Sequence, residues 1–196
     1  MSEAESTPAR VLAAAALEIR QIGPKRMTVS GIAARLGMSH ANIYRHFADK
    51  SALIDAVLAQ FLRAIEARLA EIADGPDPAD DKLERFLTTL TRAYDELLSG
   101  DPAIFRLLAE PEMRAEEPER HKKRIAALVG RIIEEGMTTR LFAGSEPRRA
   151  TQLLLDLAHR FLDPATIFAH AVADPASDGR RDRLVRAAVR ALTGRR

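Results

Sequence analysis

The chain has 196 residues, of which 46% are hydrophobic and 30% are charged, a balance typical of a soluble globular protein with a sizeable core. It contains no Cys, which excludes disulfide bonds and thiolate chemistry, and its aromatic content of 5%, with no Trp, argues against an all-β sandwich or barrel. The formal net charge of +2 is too small to indicate a partner by itself.

The distribution of the charge is more informative than its sum. Residues 1–50 carry seven Lys or Arg against four acidic residues, a net charge of +3, so that residues 51–196 carry −1. A basic N-terminal part favours a polyanionic partner. The first ten residues are polar and acidic, unlike a secretory leader, and the apolar run that follows is too short to span a bilayer. We therefore expect a cytoplasmic protein with no membrane partner.

The first third of the chain has the pattern of four helices. The first carries apolar residues at helical spacing over 11–19 and is predicted to stop at Gly23 and Pro24. The second is predicted to end at Gly37 after barely two turns, and the fourth has an apolar stripe that reaches Ile72. The second, third and fourth helices each follow a residue typical of a helix N-cap, namely Thr28, Ser39 and Asp49.

The rest of the chain also has apolar residues at helical spacing. The segments 74–81 and 110–120 are loops by composition, and Pro164 is predicted to kink or interrupt a long helix. No segment alternates as a strand does. The predicted helices lie over about 81–99, directly after residue 102, over about 118–137, from about 147, and over about 184–192. The sequence therefore predicts an all-α chain of about nine helices.

Residues 29–47 form one unit of two short helices separated by a glycine turn. The crossing of two such helices needs a small residue in the first helix, here Ala33, and a turn residue that tolerates positive φ, here Gly37 four positions later. This is the helix-turn-helix pattern, in which the second helix enters the major groove of DNA. An ordinary helical hairpin satisfies the Ala-to-Gly spacing about equally well, because both residues are common.

A longer stretch, residues 11–58, decides between these interpretations. The amphipathic first helix, IAARLGMS at 32–39, IYRHF at 43–47 and DK at 49–50 together resemble the N-terminal domain of the TetR family of transcriptional repressors. The resemblance implies a three-helix helix-turn-helix head at residues 1–50 and a helical-bundle domain for ligand sensing and dimerisation at 51–196. It also implies a homodimeric, sequence-specific regulator that binds an inverted repeat in double-stranded DNA.

The resemblance, carried over residue by residue, implies a set of DNA contacts. Asn42 is the best candidate for reading a base, because an Asn side chain can pair with both N6 and N7 of adenine. Tyr44, His46 and Lys50 match phosphate-contacting positions of the family, and Arg45 can reach a phosphate or a guanine edge. The residues predicted to contact DNA are Thr28, Ser39, His40, Asn42, Tyr44, Arg45, His46 and Lys50.

Residues 81–172 are expected to enclose a mostly apolar cavity. A small apolar or amphipathic ligand, oriented by Tyr94 or His159, is expected to release the repressor from its operator. For any one lining residue, a plain core position is an equally good interpretation. The alternative function is a DNA-bound adaptor or architectural protein of the same fold, which recruits a protein partner without a ligand. The residues predicted to line the cavity are Phe86, Leu90, Tyr94, Phe105, Ile125, Val129, His159 and Phe161.

The helices over about 147–162 and 180–193 carry more apolar surface than one core-facing stripe requires. We expect two helices from each subunit to form a four-helix dimer interface, which is also the usual arrangement in the family. The residues that cannot easily all face one subunit's interior are Leu153, Leu154, Leu157, Leu184, Ala188 and Leu192.

The sequence offers little for catalysis. It has no GxSxG or GxxxxGK[ST] motif and no Cys nucleophile, so neither an enzyme nor a cofactor is expected. Asp156, His159 and Asp163 lie at i, i+3 and i+7 and can share one helix face, but no fourth ligand is evident. The sequence leaves open whether they bind a metal or form only a polar seam, and we expect no metal.

Overall fold

The computed structural model describes residues 6–110, 115–144 and 146–171, together with residues 183, 186, 187 and 189–192. Within these residues every regular element is a helix, which confirms the predicted all-α class. None of the described helices is both long and apolar enough to cross a lipid bilayer. The helices are α1 (Thr7–Arg26), α2 (Val29–Leu36), α3 (His40–Tyr44), α4 (Lys50–Asp74), α5 (Ala79–Gly100), α6 (Pro102–Ala109), α7 (Glu117–Thr138), α8 (Pro147–Leu162) and α9 (Pro164–Ala171).

Side-chain caps mark the starts of the first four helices. In each case a side-chain oxygen accepts a hydrogen bond from the backbone amide three residues later, at 2.8–3.4 Å. Such a bond satisfies one of the amides that a helix start leaves without a partner. The capping residues are Ser6, Thr28, Ser39 and Asp49, so the three N-caps predicted from the sequence are confirmed.

The end of α1 differs from the prediction. The helix does not stop at Gly23 but kinks there, because Gly23 adopts φ 81° and ψ 161°, and one further turn continues to Arg26. Pro24 begins that extra turn, where a fixed φ suits the helix and the missing amide hydrogen costs nothing. The turn closes with a hydrogen bond from the Met27 amide to the Gly23 carbonyl (3.1 Å).

Helix α4 connects the head, α1–α3, with the remaining helices. It packs against α1, α5, α6 and α7, while α7 packs on α8 and α6 on α9. One hydrophobic core runs through both parts, from Val11 in α1 to Val189 near the end of the chain. The head and the body are therefore packed together through α4 and through α1, which also packs on α6.

Two helix boundaries follow from proline. Helix α8 ends at Leu162 and α9 begins at Pro164, which confirms that Pro164 interrupts the long helix. Helix α7 spans Glu117–Thr138, within one residue of the predicted helix over about 118–137, so the predicted loop over 110–120 is shorter at its C-terminal end. The physical reason is Pro118, which lies in the first turn of α7, where proline is tolerated.

The apolar surface of α8 is only partly used inside the chain. Leu154 is buried, whereas Leu153 and Leu157 have 56% and 60% of their surface exposed, the two largest values among the exposed large hydrophobic residues of the described part of the chain. Leu192 packs partly buried against the core, and its carbonyl accepts a hydrogen bond from the Ala143 amide (2.9 Å). Leu184 and Ala188, also expected at a dimer interface, lie outside the described residues.

Candidate nucleic-acid interface

Helices α2 and α3 are held at a fixed angle by a tight turn and a small apolar core. Gly37 lies in the left-handed region with φ 63° and ψ 33°, which favours glycine. The turn lets the Met38 amide donate to the Ala33 carbonyl (3.0 Å). Ile32, Ala33 and Ile43 are at most 1% exposed and fill the angle between the helices. The helix-turn-helix geometry predicted from the Ala-to-Gly spacing is thus present.

The predicted recognition helix is short and its outer surface is polar. Helix α3 spans only His40–Tyr44, and Arg45 forms its C-cap. His40, Tyr44, Arg45 and His46 are exposed, and Asn42 is half-buried with its side-chain nitrogen 3.9 Å from the Met38 sulfur. The structure therefore brings these five predicted contact residues together at one end of the molecule.

The other three predicted contact residues lie at helix starts. The hydroxyl oxygens of Thr28 and Ser39 accept the capping hydrogen bonds, which leaves their hydroxyl hydrogens free to be donated to a phosphate. Lys50 is the first residue of α4, and its Nζ donates to the Lys25 carbonyl (2.9 Å). Lys50 therefore ties the start of α4 to the extra turn of α1.

The head presents more positive than negative charge to its surroundings. Its described residues, 6–50, contain seven Lys or Arg but only Glu18 and Asp49 as acids. Glu18 is 6% exposed and lies 3.7 Å from the Arg35 guanidinium, while Asp49 caps α4. A surface of this kind attracts the phosphate backbone of a nucleic acid.

The residues predicted to line a ligand cavity mostly come together. Six of them belong to the main core, in which Tyr94 packs edge-on against Phe105 with ring centroids 6.0 Å apart. Phe161 is buried as well, but outside that cluster. His159 is not brought to the others, because 63% of its side chain is exposed and its ring faces Thr166 and Asp163. The six core residues are Phe86, Leu90, Tyr94, Phe105, Ile125 and Val129.

A buried hydrogen-bond chain runs through this core, and the sequence did not predict it. His121 is fully buried, with its Nε2 2.8 Å from the Tyr94 hydroxyl and its Nδ1 2.5 Å from Glu66 Oε1. Arg124 donates to the same carboxylate oxygen (2.8 Å) and pairs with Glu117 (2.5 Å). This hydrogen-bond chain therefore links α5, α7 and α4.

The charge state of Glu66 fixes the direction of its hydrogen bond with His121. Burial alone would raise the pKa of Glu66, but hydrogen bonds from His121 and Arg124 outweigh it and lower that pKa below its usual 4.5. Burial, with the negative charges of Asp163 and Glu66, raises the pKa of Tyr94 far above its usual range. Ionised Glu66 can only accept, so His121 Nδ1 carries a proton and donates to the Glu66 carboxylate.

The residues considered for a metal site do not form one ligand set in the described part of the chain. Asp156 accepts a hydrogen bond from Gln152 (2.8 Å), while Asp163 caps α9 through Thr166 and lies 3.5 Å from the Lys122 Nζ. Burial would raise the pKa of Asp163, but the hydrogen bonds from Thr166 and nearby positive charges lower it. No group of three metal-ligating side chains occurs among the described residues.

Comparison with known proteins decides the family. Residues 11–57 match the profile of the bacterial regulatory proteins of the tetR family, and residues 79–185, more than half of the chain, match the tetracyclin repressor-like C-terminal domain. The chain belongs to the TetR family. It is thereby a DNA-binding transcriptional regulator, and TetR regulators are not enzymes, which confirms that expectation.

Individual TetR relatives are distant. The nucleoid occlusion factor SlmA of Vibrio campbellii (strain ATCC BAA-1116) is 28% identical over 110 residues, or 56% of this chain, which spans about half (54%) of the length of that relative. SmeT, the repressor of the Stenotrophomonas maltophilia multidrug efflux pump SmeDEF, is 17% identical with a TM-score of 0.71, covering 96% of this chain and 91% of its own. FadR from Bacillus subtilis, solved in complex with stearoyl-CoA, is 18% identical with a TM-score of 0.63. The match covers 94% of this chain and 97% of the FadR chain. The solved structures show the shared TetR fold.

Proposed function

We propose that the protein is a homodimeric repressor in the cytoplasm that binds an inverted-repeat operator through α3 of each subunit. The observation that carries this proposal is the polar outer face of α3, held at a fixed angle by the Gly37 turn in a positively charged head. The proposed head comprises residues 1–50, and the start of α4 at Lys50 agrees with that boundary. Two recognition helices related by a two-fold axis suit half-sites about 34–36 Å apart.

Each polar residue of the head has a proposed role. Asn42 reads a base edge, since it is the amide side chain on α3 and can pair with two atoms of adenine. Tyr44, His46 and Lys50 contact phosphates, as do the hydroxyls of Thr28 and Ser39 at helix starts. His40 and Arg45 flank the base-reading position and can reach either a base or a phosphate.

Replacing Asn42 and Lys50 separately tests these roles. Asn42→Ala is expected to relax specificity at one base pair in each half-site, at a cost of about 1–3 kcal/mol there, and to leave binding to random DNA almost unchanged. Lys50→Ala is expected to weaken binding to all DNA sequences alike and to reduce the dependence of affinity on salt concentration. Titrations of both variants on operator and random duplexes at several salt concentrations measure the difference. An equal loss on both duplexes for Asn42→Ala would contradict its role as a base reader.

The dimer interface is proposed at α8. Leu153 and Leu157 lie one turn apart on an exposed face of that helix, an apolar surface that one subunit does not cover. Pairing α8 and the predicted helix over about 180–193 with their symmetry mates would bury Leu153 and Leu157 in a four-helix bundle. An obligate interface of this type buries about 2,000 Å² or more.

The proposed effector is a small apolar or amphipathic ligand that binds beside Tyr94. Phe86, Phe105 and Val129 supply an apolar lining. Tyr94, rather than the exposed His159, supplies the polar contact in this proposal. In this proposal the Tyr94 hydroxyl donates to His121 Nε2, so that the Tyr94 oxygen accepts from the ligand. The ligand therefore carries a hydrogen-bond donor. A ligand for this fold has a precedent in FadR, which was solved in complex with stearoyl-CoA, and SmeT shares the fold as well.

Three C10 compounds that differ only in the polar group test the ligand proposal. We expect n-decanol and n-decylamine to raise the melting temperature more than n-decanoate, since the carboxylate offers Tyr94 no donor. Tyr94→Phe is expected to remove the difference, because it deletes the acceptor and keeps the ring. Thermal shift assays measure it, and a stronger effect of decanoate on the unchanged protein would contradict the donor requirement.

The second candidate is a DNA-bound adaptor that recruits a protein partner. The observation in its favour is the similarity to SlmA, whose name describes a nucleoid occlusion factor. An effector that binds near Tyr94 and weakens operator binding about 5–150-fold supports the repressor. A ligand bound there that leaves operator affinity unchanged favours the adaptor.

A further inference from the structure

Helices α4 and α7 run side by side in the same direction and are joined by polar contacts at three levels. The residue numbers of the partners increase together along both helices, as parallel helices require. Helix α7 therefore supports α4 over most of its length. From the head outward the contacts are Asp55 with Glu116 and Glu117, Glu66 with His121 and Arg124, and Asp74 with Arg131.

At the head end, α4 supplies the cap of α7. The backbone amides of Glu116 and Glu117 donate to the Asp55 carboxylate at 3.0–3.1 Å, and Glu116 makes no side-chain cap of its own. The first amides of a helix otherwise lack partners, and a carboxylate is also attracted to the positive end of the helix dipole. A residue 61 positions earlier in the chain therefore holds the start of α7.

The Asp55 contact bridges an open groove. The groove has a volume of about 460 Å³ and lies between the first turns of α4 and the start of α7. From Asp55 the polar contacts continue inward, because the buried Glu117 pairs with Arg124, which contacts Glu66. Asp55 is thus the outer end of the hydrogen-bond chain that reaches Tyr94.

The head is attached to the first turns of α4 by apolar packing and by a hydrogen bond. Where α1 packs on α4, Val11 and Ala15 from the head and Leu53 and Val57 from α4 are all fully buried. Lys50 adds its hydrogen bond to the extra turn of α1. Because packed apolar contacts of this kind resist deformation, the direction of α4 helps to set the direction of the head, together with the packing of α1 on α6 and the Arg20–Asp101 ion pair (2.7 Å).

We infer that Asp55 is a positioning residue for DNA binding: its hydrogen bonds to the start of α7, the α4–α7 clasp, hold α4 and the head in one orientation. The inference rests on the proposed function, since two heads must fit two half-sites at once. Without the clasp the head samples more orientations, and operator affinity falls with the fraction of molecules whose heads still fit.

Spin labels can measure the orientation directly, because the chain contains no Cys. Ser30→Cys in α2 and Glu134→Cys in α7 place labels on exposed positions of the head and of α7. Dilution of the doubly labelled chain with excess unlabelled protein restricts the signal to distances within one protomer. We expect Asp55→Ala to broaden the distance distribution and to weaken operator binding about 2- to 30-fold.

Asp74→Ala is the matched control. It removes a polar link between the same two helices at the far end, where both Asp74 and Arg131 are more than half exposed, and we expect it to change neither readout. Asp55→Asn keeps one acceptor oxygen, is expected to have an intermediate effect, and replaces Asp55→Ala if that variant does not fold.

Two negative results have different meanings. A narrow distance distribution and unchanged operator affinity in Asp55→Ala, or an equal effect of Asp74→Ala, would overturn the clasp. If the unchanged chain selects no DNA sequence, the proposed function fails, and the distance distribution alone then decides whether Asp55 orients the head.

Discussion

Leu157→Asp is expected to produce a monomer that no longer binds the operator. Leu157 is 60% exposed in one protomer, and the proposed interface places it against its symmetry mate. Because the interface is two-fold symmetric, one substitution buries two unpaired carboxylates. An uncompensated buried charge costs about 3–5 kcal/mol, enough to raise the dissociation constant of the dimer by at least about 100-fold. Sedimentation velocity over a range of protein concentrations measures the change.

Leu17→Asp is the control for this experiment. Leu17 is also an exposed leucine, at 39%, but it lies on α1 and outside the proposed interface. We expect that variant to remain dimeric. If Leu157→Asp instead stays dimeric at low concentration, the interface lies elsewhere on the molecule.

Glu66→Gln is expected to lower the free energy of unfolding. The substitution leaves the buried His121 and the half-buried Arg124 facing a neutral amide, whereas they now share a carboxylate. Hydrogen bonds to charged groups contribute about 1.5–3 kcal/mol, and we expect a loss of that size in the free energy of unfolding at pH 7. Urea unfolding measures it. Glu71→Gln, at an exposed position of the same helix, is the control and should change little.

The loss of stability caused by Glu66→Gln should also depend on pH. The pKa of Glu66 is lower in the folded protein than its usual 4.5, so its ionised form stabilises the fold. That contribution is complete above pH 4.5 and disappears as the pH falls through the lowered folded pKa. The difference in stability between the unchanged protein and Glu66→Gln should therefore shrink on acidification below pH 4.5. A difference that grows on acidification would contradict this assignment of charge.

Local signals made the helices predictable. Thr28, Ser39 and Asp49 cap the helices at which they were predicted, because an N-cap depends on an amide only three residues away. Gly37 likewise reveals the turn through its own backbone requirement. At Gly23 the same reasoning was incomplete, since a glycine followed by a proline is compatible with a kink as well as with an end.

The buried hydrogen-bond chain could not be predicted because its partners are far apart in sequence. His121 and Glu66 are separated by 55 positions, and neither carries a motif. One signal was available, because His121 lies one turn before Ile125 on the inward face of α7, where a histidine needs a partner. For His159 the difference runs the other way. It was predicted to line the cavity, but on α8 its side chain faces Asp163 and solvent.

Selection of bound fragments from a random DNA pool by the purified protein tests the central claim most directly. The account predicts an enriched inverted repeat whose half-site centres are about 34–36 Å apart, and loss of preference at one base pair per half-site when Asn42→Ala is used. Enrichment of no sequence, or of a motif without two-fold symmetry, would contradict a dimer that reads DNA through α3.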